Sequence, residues 1–272
     1  MKDQLREYDS VGEFLDTATS KPSPLQMNQR ASRTKDGEWS GVDFNSAVKL
    51  LREGWSEGYQ KIKELTDKVG EIVGAKVVQD VSYYDVSGAY VDVGRFLDGE
   101  PECMVEYKPD KEMGTKNVTV VSSMSFSADV DPDEIIKNGV VAACIVDGLE
   151  IANIRCKVVV EESAKSYGSI FTNLITVKEW DQVLDLDRLA FTLAHPSMLR
   201  RLLFSAEETE PIEIIEHWGF RNKSGYGTAM NVQTKADVVL ENNLHRSLKT
   251  TDQMVEYVCK VLKEQGVVID DE

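Results

Sequence analysis

The sequence predicts an α+β fold, with a mixed or antiparallel sheet, packed helices and an N-terminal helical hairpin. Three observations lead there. Several segments alternate apolar and polar residues with the period of strands, Asn117 to Ser127 and Ser169 to Val177 most cleanly. Between them stand helices with their own start signals, the plainest being Asp131 followed by Pro132, Asp133 and Glu134. The stretch Trp39 to Val69 adds two apolar stripes of helical period, broken at Gly54.

Taken in order, Ser10 and Glu13 have capping-box spacing ahead of a short helix carrying Val11, Phe14, Leu15 and Ala18. Ser20 to Gly41 contains Pro22 and Pro24 and has no clear apolar period, so a loop or mobile arm is expected. Asp43 can cap the next helix, where Phe44, Ala47, Val48 and Leu51 fall at i, i+3, i+4 and i+7. Trp55, Tyr59, Ile62, Leu65 and Val69 begin the second stripe. Glycines at 54 and 58 flank Trp55, which calls for a tight bend or a backbone lying on the indole. Core anchoring is one reading of these aromatics; the other is that Trp39, Trp55 or Tyr59 faces a ligand.

Val77 to Val93 reads as strands around a turn near Val86 to Gly88, and Gly94 to Met104 as a short helical turn with a loop. Val118, Val120, Ser122, Met124 and Phe126 share one face of a strand. The helix opened by Asp131 should run to about Ile151, with Ile135, Ile136, Val140, Ala143, Cys144 and Leu149 buried. Ile154 to Val160 and Ser169 to Val177 come next as strands around a turn at Ser166 to Gly168, half of a ferredoxin-like layout with helices on one side of the sheet. Leu186 to Ala194 is helical, Pro196 restarts a helix through Met198 to Phe204, and Thr250 with Gln253 caps a last one that Gly266 stops. The expected division is an N-terminal helix and basic arm over 1–41, one α+β domain over 42–266, and an acidic tail over 267–272.

At 272 residues the chain can bury a sizeable core, and 42% hydrophobic with 29% charged residues suits a soluble globular protein. The net charge of −16 argues against non-specific attraction to nucleic acid or anionic membrane, although a local basic groove can still hold phosphates. Cys103, Cys144, Cys156 and Cys259 are widely spaced and read as free thiols of a reducing compartment. Met1 to Asp9 is too polar for a signal or transit peptide, and no run reaches the roughly 18 apolar residues of a membrane span.

No phosphate-cradling glycine motif and no nucleophile motif is present. His195, His217 and His245 are isolated and read as structural; no His/Cys set has zinc spacing. Asp129, Asp131 and Asp133 fit a helix cap better than a metal loop, so neither metal nor cofactor nor enzymatic activity is expected. Binding features are stronger. Three acid-free windows stand out: Thr17 to Lys35 with Lys21, Arg30, Arg33 and Lys35; Arg188 to Ala206 with Arg200 and Arg201; and Trp218 to Ala236 with Phe220, Arg221, Lys223 and Tyr226. Cations beside rings are what single-stranded DNA requires, since cations track the backbone while bases stack. Trp39 joins these as a candidate ring, and the bland alternative is solvated loops whose charge offsets local acidity. Asp270, Asp271 and Glu272 resemble the acidic tails with which single-strand binders recruit partner proteins.

Trp39-Ser40-Gly41, Phe44, Ala47 and Gly54-Trp55-Ser56-Glu57-Gly58 resemble a family of phage and plasmid proteins with a Gly-Trp-x-Glu-Gly motif. Val93 to Met104, Asn138 to Glu150 and Leu193 to Phe204 extend the resemblance over most of the chain from Trp39 to Phe204. Within that group the chain is most similar to the single-stranded-DNA-binding RNA polymerase cofactors of lytic phages that carry a giant virion RNA polymerase. The resemblance implies a fold distinct from standard single-strand binders, not an OB-fold. It also implies work in the host cytoplasm at melted promoters, where single-stranded DNA and the phage RNA polymerase are the partners and self-association into a homo-oligomer stays open. It carries no residue-level DNA site. Two other classes remain: an acidic decoy for a host DNA-binding protein, and a nuclease without a recognisable motif.

Overall fold

In a computed structural model, the structure describes residues 3–24, 31–33, 37–73, 81–88, 90–108, 116–218 and 225–267. The chain opens with β1 (Gln4–Tyr8), α1 (Val11–Thr19), a 3-10 turn at Ala31–Arg33, α2 (Gly37–Ser40), α3 (Phe44–Glu53) and α4 (Ser56–Val73). A small unit comes next: β2 (Val81–Asp85), β3 (Tyr90–Val91), α5 (Val93–Leu97) and β4 (Met104–Lys108). The main body continues with β5 (Asn117–Ser123), α6 (Pro132–Ile151), β6 (Arg155–Ser166), β7 (Ser169–Lys178), α7 (Leu186–Ala194), a π-helical segment Met198–Leu203, α8 (Phe204–Glu207) and α9 (Ile212–Trp218). Last come β8 (Thr228–Ala229), β9 (Val238–Leu240), α10 (Leu244–Ser247) and α11 (Thr251–Glu264).

The fold is α+β with a mixed sheet. Its main path runs β1-β7-β6-β5-β9, and β8 pairs with β6. β5 is parallel to both neighbours, and β6 is antiparallel to β7. Parallel strands β5 and β6 need a crossover, and α6 provides it. The helix starts where the sequence places it: the Asp131 carboxylate accepts the Asp133 N–H at 2.9 Å, with Pro132 in the first turn. It is then buried almost all round, from Ile135 to Leu149, because the sheet lies on one side and helices cover the others. Gly139 is what lets α7 approach. A Cβ there would sit 2.1 Å from the Leu193 carbonyl oxygen and 2.2 Å from the Ala194 Cα.

Several expectations are corrected. The helices of 43–69 form as predicted, with Asp43 capping α3 and Gly54 at φ 93° between them, but they do not make a hairpin on the sheet. α3 lies against α7 and the π-helical segment, and α4 against α6, α7 and α11, because α6 and α1 already occupy the sheet. Trp55 is a core residue: its indole lies on Gly58, where a Cβ would be 2.1 Å from the ring, and it meets His195 edge-on at 4.7 Å. The strand expected over Asn117 to Ser127 ends at Ser123, and its residues are buried on both faces, as befits a central strand between parallel neighbours. β2 and β3 do not pair; β4, which the periodicity does not reveal, lies between them.

The boundary expected at residue 41 does not divide the molecule. β1 is an edge strand of the main sheet, parallel to β7, and Tyr8, Phe14, Leu15 and Ala18 belong to the main core. The described parts of the Ser20 to Gly41 segment are docked, not loose: the Ser23 N–H donates to the Glu208 carbonyl at 2.8 Å, and Ser32 and Ser40 are buried. At the other end the predicted capping box forms between Thr250 and Gln253. Cys144, Cys156 and Cys259 are buried free thiols, and burial pushes the first two up to about 12. Among the described residues no helix is long and apolar enough to cross a membrane.

Candidate functional site

β6 is longer than β5, and the site begins at that mismatch. The last β5–β6 pair is Ser123 with Glu161, and the Met124 N–H still reaches the Glu161 carbonyl at 2.7 Å. Beyond it the chain turns away toward α6, and β8 takes over β6 at Ala164 and Lys165. A cleft of about 230 Å³ opens between these strands, at the carboxyl end of β5, where open sheets with parallel strands commonly hold ligands. Glu162 and Ala164 line it from β6, Ser125 and Phe126 from the chain just beyond β5, and Trp39, Phe204 and Tyr226 form a wall.

The wall is a chain of rings. Phe204 and Tyr226 stack face to face with centroids 3.9 Å apart at 3°, and Trp39 tilts against Phe204 at 6.3 Å. The Arg200 guanidinium lies 4.6 Å from the Trp39 ring centroid, and the indole N–H donates to the Ala128 carbonyl at 2.9 Å. Tyr226 is held by its hydroxyl, which donates to Glu208 at 2.6 Å. The Glu208 carboxylate also accepts from the Ser32 N–H at 3.1 Å and the Ser32 hydroxyl at 2.6 Å, tying the segment before α2 to the wall.

Behind the wall lies a cluster of buried acids: Glu161, Glu162, Glu207, Glu208 and Glu210. Carboxylates so placed need donors. Glu161 has three, the Ser163 hydroxyl at 2.7 Å and the backbone N–H groups of Gln233 and Thr234 at 2.6 and 3.0 Å. Glu210 is paired with Arg6 from β1. Glu162 accepts from the Asn173 amide at 2.8 Å. Glu207 has both carboxyl oxygens buried with no hydrogen-bond partner among the described residues. Burial, then the Glu162 charge, pushes Glu207 well above the usual carboxylate range; burial also raises Glu162.

Of the residues the sequence nominates, Trp39 and Tyr226 meet in this cleft. Lys21 is exposed just after α1, and Arg33, also exposed, lies over the Phe44 ring at 3.2 Å from its centroid. Arg200 and Arg201 are corrected: both are buried and cannot meet a phosphate from solvent in this state. Arg200 donates to the Trp39 and Val130 carbonyls, and Arg201 to Val42 at 2.9 Å and Ser32 at 3.3 Å. They order the wall from behind. Arg30, Lys35, Phe220, Arg221, Lys223, Asp270, Asp271 and Glu272 lie outside the described residues. Phe204, Glu162 and Glu207 are site residues that sequence reasoning does not nominate. The readable signal was Glu161-Glu162 after three valines and Glu207-Glu208 after an apolar run, charges where strand and helix should be buried.

Fold and site together define an α+β protein with a mixed sheet and an aromatic-walled cleft floored by the buried Glu162. The chain belongs to the family described as a domain of unknown function (DUF7192), which matches residues 2–269. No curated protein and no solved structure matches it. Among the described residues no group of His, Cys, Asp and Glu is arranged to hold a metal ion.

Proposed function

We propose that this protein binds single-stranded DNA through the aromatic cleft and acts as a phage transcription cofactor that brings the phage RNA polymerase to melted promoters. The observation that carries the binding half is the ring wall of Trp39, Phe204 and Tyr226 beside the cleft. Unpaired bases offer faces to such rings, whereas a duplex hides them. Electrostatics alone would favour the duplex, with its higher phosphate density, and a chain of net charge −16 has little to spend on phosphates. Stacking is therefore the term that selects the single strand. The polymerase half rests on the Gly-Trp-x-Glu-Gly resemblance.

The test is a gel shift with single-stranded and duplex DNA at two salt concentrations. Tighter binding to the single strand, with a shallow salt dependence, supports the reading. Trp39→Ala should weaken it about fivefold to a hundredfold, the worth of one stacked base. Equal affinity for both forms, or none for either, overturns it and favours the acidic-decoy reading.

A further inference from the structure

We propose that the cleft seats one unpaired nucleobase and that Glu162 selects bases carrying an exocyclic amine, cytosine over uracil among the pyrimidines. The inference rests on the single-strand reading and adds to it what the cleft recognises.

A cleft of about 230 Å³ is smaller than the roughly 300 Å³ at which pockets for drug-sized ligands begin, so it suits one flat ring system. Trp39, Phe204 and Tyr226 supply the face of the site. Glu162 supplies the edge. It is 3% exposed yet lines the cleft, and only its bond from Asn173, on β7, is fixed within the sheet. Beside it stand Glu161 on its own strand and Glu207 on α8, and Glu207 in turn neighbours Glu208, Glu210 and Tyr8 of β1. Arg6 is engaged by Glu210, and Glu208 by Ser32 and Tyr226. Glu162 lines the cleft, and its carboxyl oxygens offer acceptors to a ring that enters.

An acceptor on the floor discriminates by hydrogen-bond sense. Cytosine presents its amine as a donor; uracil presents a carbonyl in the same place, and two acceptors would face each other with water excluded. The two rings are the same size, so their stacking on the wall is closely matched and the edge decides.

The experiment is fluorescence anisotropy of the full chain with oligo-dC and oligo-dU at fixed pH and salt. Oligo-dC should bind about tenfold more tightly, the scale of one hydrogen bond to a charged group. Glu162→Gln, whose amide can both donate and accept, should bring oligo-dU close to oligo-dC. Equal binding of both strands by the native protein overturns base selection and leaves the single-strand reading standing; no binding of either removes both. A cytosine preference undiminished in Glu162→Gln overturns the assignment to Glu162. Should that variant fail to fold, a cytosine strand doubly methylated on the exocyclic amine decides. Loss to the oligo-dU level supports the inference, and undiminished binding overturns it. Free dCMP binding as tightly as the strand would make a nucleotide the ligand and overturn the strand reading.

Discussion

The cleft region and the small β2-β4-β3 unit invert each other. At the cleft, five carboxyls and two guanidiniums are inside the molecule, most of them held by donors and carbonyls. In the small unit α5 turns its apolar side chains outward: none of its residues is buried, and Phe96 and Leu97 are 62% and 77% exposed. Its described contacts are surface ones, such as Arg95 over the Tyr84 ring and Tyr84 to Asp92. The difference teaches that hydropathy does not locate the critical residues in this chain. Buried charge is expensive and fails when one partner goes, whereas an exposed apolar side chain has little to lose.

Removing residues 1–38 should have the largest effect. It takes β1 and α1 from the core, and Tyr8, Phe14 and Leu15 are buried side chains worth about 1.5–3 kcal/mol each. Against a typical total of about 5–15 kcal/mol, the truncated chain should show no cooperative thermal transition. An unchanged midpoint would detach the N-terminal segment from the polar interior. Next, Arg201→Ala should cost about 2–5 kcal/mol in denaturant unfolding, because the Val42 and Ser32 carbonyls are left buried without this donor. A loss below about 1 kcal/mol would mean that the interior charges are not structural, and the contrast would fail.

His195 sharpens the contrast through pH. It is packed between Trp55 and Phe191, and burial lowers it to about 4, so the folded protein holds it neutral. The unfolded chain takes up the proton at about 6.5, hence stability should fall as pH drops from about 6.5 to about 4, by up to about 3 kcal/mol. The carboxyl pair has the opposite sign: Glu207 is raised, so its contribution is full below the unfolded carboxylate value and is lost as pH rises through the folded one. A His195→Gln variant that keeps its fold should lose the acid limb only, read from denaturation midpoints across pH. The smallest effect belongs to the small unit. Leu97→Ser should change stability by less than about 0.5 kcal/mol; a larger loss would reveal packing that its exposure denies.

Legibility in the sequence tracks the range of the interaction. Caps and periods are local, so Asp43, Asp131, Thr250 and the helices they start could be read directly. Pairing is not local. β1 is five largely polar residues, Gln-Leu-Arg-Glu-Tyr, and becomes a strand because β7 offers it an edge. Trp39 and Tyr226 were legible as rings near cations, yet Phe204 joins them only through the fold. Arg200 and Arg201 misled for a physical reason: a charge run marks solvent unless carbonyls wait inside, and carbonyls are silent in sequence.

The π-helical segment Met198–Leu203 sets the phase of the chain beyond it. Such a turn accommodates one residue more than an α-helix would over the same rise. It brings consecutive arginines inside together and delivers Phe204 to the cleft wall on the very next residue. Rewinding the segment as α-helix at unchanged length would turn everything after it by about 100°. Phe204 would leave the wall and Glu207 would leave Glu162, though no side chain in contact with the cleft had itself been substituted. The winding of the chain, and not only its composition, therefore decides which side chain reaches the wall after Leu203.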